Sequence, residues 1–164
     1  MGSGKARRFQ SSPRTGKIVH RRIGAAALRV YNTAMNKSAD SVARAFVRAM
    51  NRQDVDGLAE LMTPDHRFVD ALGNVVEGRD KMRAAWAAYF KMVPDYHLAI
   101  EESYGDGPVV VLLGEAGGTY APSGVLKPEN RWKTPAAVRA QEADGRIAEW
   151  RVYADNEPMR RLMR

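Results

Sequence analysis

The chain changes its hydrophobic period once, at Val93-Pro94, and that change limits what it can fold into. Before it, apolar residues recur at helical spacing. After it they alternate through four strand-length segments punctuated by Gly, Pro, Asn and Asp. The segments are DYHLAIEESYGDG, PVVVLLGEAGGTYA, NRWKTPAAVRAQEADG and RIAEWRVYAD, and GDGP and ADGR have the composition of hairpin turns. Helices followed by a meander of long antiparallel strands predict an α+β fold, its N-terminal helices packed in a strongly curved antiparallel sheet. Such a sheet forms a cone with an internal pocket, lined by apolar groups and a few polar ones.

The helical half reads in more detail. Val42, Ala45, Phe46, Ala49 and Met50 mark one helix, with Asp40 as its N-cap. DVDGLAELM starts a shorter helix that Thr63-Pro64 is expected to stop, because proline cannot continue the hydrogen-bond ladder. HRFVDA reads as a strand, LGN as a turn and VVE as a short returning strand. In RDKMRAAWAAYFKMV, Met82, Ala85, Trp86, Tyr89 and Phe90 share one face of a helix.

Charge divides the chain. Residues 1–39 hold nine basic side chains and no acid, whereas the remaining 125 residues hold 17 basic and 19 acidic ones. The net charge of +7 therefore belongs to a leader, residues 1–38, and not to the domain over 39–164. A domain without a basic face of its own is not expected to bind nucleic acid. The leader is poor in apolar residues and is expected to be disordered. It reads as an upstream extension, since Met35 opens MNKSADSVARAF as a natural N-terminus would. An organelle transit peptide, or an arm for an acidic partner or nucleic acid, also fits it. No apolar run is long enough to span a membrane, so a cytoplasmic protein is expected, with organelle targeting by the leader left open. Cysteine is absent, which excludes disulfides, thiolate nucleophiles and Cys-ligated zinc.

FVRAMNRQDVDGLAELMTPDHRFVDALGNVVEGRDKMRAAW, the VPD of residues 93–95 and the closing GRIAEWRVYAD resemble the SnoaL-like proteins of the nuclear transport factor 2-like superfamily. The resemblance spans about residues 40–163. It implies the α+β cone, a small apolar ligand, and a homodimer formed through the outer face of the sheet. The family includes ketosteroid isomerases, polyketide cyclases and limonene-epoxide hydrolases, so an isomerase or cyclase acting on an apolar carbonyl or polyketide-like compound is one implied function. A non-catalytic ligand-binding or dimerisation module is the other.

Asp70 in FVDALG matches the family's general base, and as such would take a proton alpha to a carbonyl or serve as a polar anchor. An aspartate at a strand end also bonds the amides of the turn that follows. The family's two oxyanion donors fall on Phe46 and on Ala137 or Val138, none of which can donate. Its last-strand acid falls on Val152, with Asp155 expected on the opposite face. These substitutions leave catalysis an open question. The pocket wall is expected from Phe46, Trp86, Tyr89, Trp132, Arg139, Trp150 and Val152, with Arg139 or Tyr153 as polar contacts. His66 and His97 are candidates for acid–base work, because imidazole titrates near neutrality, set against a plainer reading as surface or interface histidines. No His pair stands at ligand spacing, Ser123 lies in an ordinary PSG loop, and Gly117-Gly118 reads as a bend in a strand. Neither a metal nor a cofactor is expected.

Overall fold

The computed structural model of the chain describes residues 39–164. The expectations for the leader lie outside them. Helix α1 covers residues 39–51, followed by α2 (Val55–Glu60), β1 (Met62–Val69), β2 (Val75–Glu77) and α3 (Arg79–Met92). Four long strands come next: β3 (His97–Asp106), β4 (Val109–Thr119), β5 (Arg131–Ala143) and β6 (Arg146–Ala154). A short helix, α4 (Glu157–Leu162), ends the chain.

The strands form one sheet in the order β2-β1-β6-β5-β4-β3. The four long strands form the expected antiparallel meander, β1 and β2 pair antiparallel, and β1 joins the meander by running parallel to β6. Register shifts lie between Met62 and Arg67, Ile100 and Glu102, and Gln141 and Glu142. Each bends its strand and increases the local twist, so the sheet curls around the helices without closing.

Sequence and structure part company at two places in the first half. Asp40 is not an N-cap: the helix is already under way at residue 39, and Asp40 pairs with Arg44 at 2.9 Å one turn on. Helix α2 ends at Glu60, and Pro64 lies inside β1 instead of stopping the helix. The proline is tolerated there because it falls in the irregular stretch of the β1–β6 pairing, where no ladder donor is required.

The core lies between the sheet and the helices. Phe46, Met50, Leu58, Met62, Leu112, Ile147 and Trp150 are fully buried. Phe46 packs on Trp150 with ring centroids 4.8 Å apart. Side chains of this size each stabilise the fold by roughly 1.5–3 kcal/mol when removed from water. The exit of α3 is clamped onto the sheet. Asp95 accepts from the Thr119 amide (2.6 Å) and the Thr119 hydroxyl (2.7 Å). A side chain on Gly118 would meet Val93 Cγ1 at 2.5 Å, so only glycine lets β4 run this close beneath residues 93–96.

Candidate functional site

Between the inner face of the sheet, α3 and α4 lies a cavity of about 500 Å³. Alternation sets its floor. On β5 the even-numbered residues Trp132, Thr134, Ala136 and Val138 face it, and on β6 Trp150, Val152 and Ala154 do. Helix α3 supplies Met82, Ala85, Trp86 and Tyr89 at helical spacing, and Tyr96 closes the far end. The mouth is bordered by Asp70, Ala71 and Leu72 from the β1–β2 turn and by Met159, Arg160 and Met163 at the C-terminus.

Five of the residues singled out for the wall, Trp86, Tyr89, Trp132, Trp150 and Val152, line this cavity. Two do not. Phe46 is wholly buried in the core behind it, against Trp150 and His66. Arg139 has the opposite parity to Val138 and lies on the outer face of the sheet. There its guanidinium donates to Glu149 (2.8 Å) and Gln141 (3.2 Å). Of the two positions for a lost donor on β5, Val138 faces the cavity and Ala137 does not. Tyr153 is likewise on the outer side and exposed, so neither it nor Arg139 is a polar contact of the cavity.

Asp70 stands at the mouth with its carboxylate turned to the turn. Its Oδ1 accepts from the amides of Leu72 and Asn74, each at 2.8 Å, and its Oδ2 from the Asn74 side chain at 2.8 Å. Partial burial works against its ionisation, but the bonds from Asn74, Leu72 and Gly73 outweigh it. The carboxyl is held below the ordinary aspartate value. A proton acceptor works best with a pKa near the operating pH, so this environment makes Asp70 a weak base. The turn thus engages most of the carboxylate's lone-pair sites.

His66 is not a surface residue: it is completely buried. The register shift after Met62 turns it inward, and its Nδ1 donates to the Ile147 carbonyl at 2.8 Å. The Nε2 atom is then unprotonated, and it has no hydrogen-bond partner among the described residues. Burial pulls the imidazole below its ordinary value, against the Ile147 bond and the charges of Asp65 and Glu149. His97 is exposed, with Nδ1 3.3 Å from the Asp95 carbonyl. On the outer face Glu149 is surrounded by Arg67 (2.7 Å), Arg139 (2.8 Å) and Arg151 (3.5 Å). Burial opposes its ionisation, but the bond from Arg67 and the three positive charges keep its carboxyl below the usual range. Among the described residues no group of three or more His, Asp or Glu side chains is placed to hold a metal ion. Nor is any helix there long and apolar enough to cross a membrane.

Sequence reasoning missed Tyr96, Phe68, Thr134 and the whole of α4 as parts of the site. The last had a signal: Asp155-Asn156 followed by Glu157-Pro158 is a helix start, and the Glu157 amide donates to Asp155 Oδ1 at 2.9 Å. Tyr96 had none, because a tyrosine beside VPD reads equally as loop or strand.

Residues 43–150 match the family model described as the SnoaL-like domain. No curated protein matches the chain. Among solved structures it is similar to a protein of Jannaschia sp. CCS1 provisionally assigned as a SnoaL-like polyketide cyclase. The TM-score is 0.64 at 21% identity, covering 74% of this chain and 88% of that one. An LEH-like epoxide hydrolase of M. tuberculosis gives a TM-score of 0.65 at 19% identity, covering 77% and 90%. A protein of Catenulispora acidiphila DSM 44928 with a ketosteroid isomerase-like fold, solved with trimethylamine, gives 0.60 at 22% identity, covering 68% and 83%. At these identities the similarity speaks for the fold.

Proposed function

Because the chain belongs to the SnoaL-like domain family, we propose that its cavity binds a flat apolar molecule carrying a carbonyl or comparable oxygen, such as a polyketide-like compound. The observation that carries this reading is the lining. A space of about 500 Å³, walled by Phe68, Met82, Trp86, Tyr96, Trp132 and Val138 and opening at one mouth, suits a drug-sized hydrophobic molecule. Asp70 acts as a polar anchor at that mouth and not as the base of an isomerase. Its carboxylate is already engaged by the turn, its basicity is reduced, and the family's donor positions carry Phe46 and Val138. Binding without chemistry at Asp70 is thus favoured over proton abstraction by it.

A compact organic cation, as in the Catenulispora complex, is a different ligand class. It needs open ring faces. Here Trp86 is stacked on Phe90 at 5.2 Å and Tyr89 meets Tyr96 edge to face at 5.3 Å, so neighbouring rings take up part of those faces. Thermal shift across ketones, phenols and tetraalkylammonium salts separates the classes. Stabilisation by the aromatic ketones supports the reading; stabilisation by the ammonium salts alone refutes it.

For assembly, a second copy of the chain is proposed on the outer face of the sheet, as the family resemblance implies. That face presents Tyr104 and Tyr153 together with charges of both signs around Glu149, which a two-fold arrangement can pair. Sedimentation velocity checks it: a species of twice the chain mass is expected, and a monomer at all concentrations contradicts it.

A further inference from the structure

The cavity's polar groups are of one kind. Apart from Asp70 in the β1–β2 turn and Asn156 and Arg160 at α4, the polar side chains of the lining are indole N–H donors and the hydroxyls of Tyr89, Tyr96 and Thr134. Tyr96 lines the cavity; its bonds within the described residues are those of its backbone, and its hydroxyl is not among the sealed-off polar atoms. Beside it, ring centroid to ring centroid 5.3 Å, Tyr89 has only the Met159 sulfur at 3.7 Å, a weak acceptor. The indole N–H groups of Trp86 and Trp132, both lining residues, are buried without partners among the described residues. Polar groups in folded proteins are nearly always paired, so a phenol in an apolar cavity with no partner among the described residues is free to take one from a ligand.

Position adds to composition. The Tyr96 backbone is held from both sides: its amide donates to the Val93 carbonyl (3.1 Å), and its carbonyl accepts from the Gln53 side chain (3.3 Å). The neighbouring Leu98 exchanges two hydrogen bonds with the Asn51 side chain. With Asp95 clamped to Thr119 one residue earlier, the phenol is presented from a fixed point and not from a mobile loop.

We infer that Tyr96, with Tyr89 beside it, is the hydrogen-bond donor site for the oxygen of the bound molecule, and that the cavity selects ligands rich in acceptors and poor in donors, such as polycyclic ketones and quinones. This rests on the cavity being a ligand site and deepens that reading. The donor site lies at the α3–β3 end, beside Trp132 at the start of β5 (ring centroids 6.3 Å apart), and uses neither of the positions on α1 and β5 where Phe46 and Val138 stand. Both phenols stay uncharged in use: burial pushes Tyr96 up to about 12, and burial followed by the neighbouring Tyr96 moves Tyr89 higher still. A donor of this kind has no partner in a hydrocarbon, so the oxygen-free analogue forfeits the bond while keeping the apolar contact.

The experiment uses the full chain with 9-fluorenone and fluorene, which share one ring system and differ in the carbonyl. Affinities come from calorimetry, and the bound ketone's carbonyl stretch from infrared difference spectra. The ketone is expected to bind about five- to tenfold more tightly than the hydrocarbon, the equivalent of one net neutral hydrogen bond. Its stretch should lie below the value in hexane. Tyr96→Phe should erase the preference, leave fluorene's affinity unchanged and return the stretch toward the hexane value; Tyr89→Phe should do so in part. Equal affinities in the wild type, or a preference and a stretch that survive Tyr96→Phe, overturn the donor site while the cavity reading stands. Binding of neither compound overturns both. Should Tyr96→Phe fail to fold, the wild-type spectrum still decides, because a stretch at its hexane position excludes a hydrogen-bonded carbonyl.

Discussion

Replacing Asp70 by Ala separates the turn from the pocket. The substitution removes the acceptor for three donors: the Leu72 and Asn74 amides and the Asn74 side chain. A net intramolecular hydrogen bond is worth about 0.5–1.5 kcal/mol, and water can reach these donors once the carboxylate is gone, which places each at the low end. The expected loss is therefore ~1–2 kcal/mol, or roughly 3–8 °C in Tm for a domain of this size. Asp70→Asn keeps one acceptor oxygen but turns an amide toward the Asn74 amide, so its loss should be smaller, about 0.5–1 kcal/mol. The sign of the pH dependence follows from the direction of the shift. The folded carboxyl sits below its unfolded value, so its contribution is complete above about pH 4 and is lost as pH falls through the folded value. Urea unfolding of wild type and Asp70→Ala near pH 7 and again near pH 3 tests both points. The gap between the curves should narrow in acid. A variant within ~0.3 kcal/mol of wild type at neutral pH, or a gap that ignores pH, refutes the turn assignment.

Three further outcomes follow. His66 is buried neutral, so its unfolded form binds protons first: stability should be full above about pH 6.5 and fall as pH drops from there toward the folded value. His66→Asn, which retains a donor for the Ile147 carbonyl, should flatten that slope in denaturant titrations. Gly118→Ala drives a Cβ against buried Val93 and should cost roughly 1–3 kcal/mol by thermal unfolding. Removing residues 156–164 takes Met159 and Met163 from the mouth, so stopped-flow fluorescence should show a faster ligand off-rate with the domain still folded.

The strands after Val93-Pro94 were legible to within two residues at each end, because one face of each is buried and the period-two pattern is strong. Helix α3 was equally plain: Met82, Trp86 and Phe90 are its buried residues, with Tyr89 beside them. What stayed hidden depended on parity and pairing. Ala136, Ala137 and Val138 are all small and apolar, so nothing local says which of them points inward, and Arg139 followed the wrong choice to the cavity side. His66 was misplaced because alternation cannot be counted across the irregular stretch between Met62 and Arg67. The parallel pairing of β1 with β6 joins segments some eighty residues apart, a contact that no local pattern reports. Asp70 shows the other limit. Its position at a strand end before a glycine turn was correctly read, yet only the coordinates show where its lone pairs go.

The central claim, that the cavity is where a ligand sits, is tested most directly by filling it. Ala136 lies on the floor of the cavity among the inward residues of β5, and Ala136→Phe places a ring in open space without displacing backbone. Calorimetric titration of wild type and Ala136→Phe with 9-fluorenone, alongside circular dichroism to show that both are folded, is the measurement to make. The account predicts saturable binding to the wild type and its loss in the folded variant. Equal affinity in the two proteins would place the ligand elsewhere and contradict it.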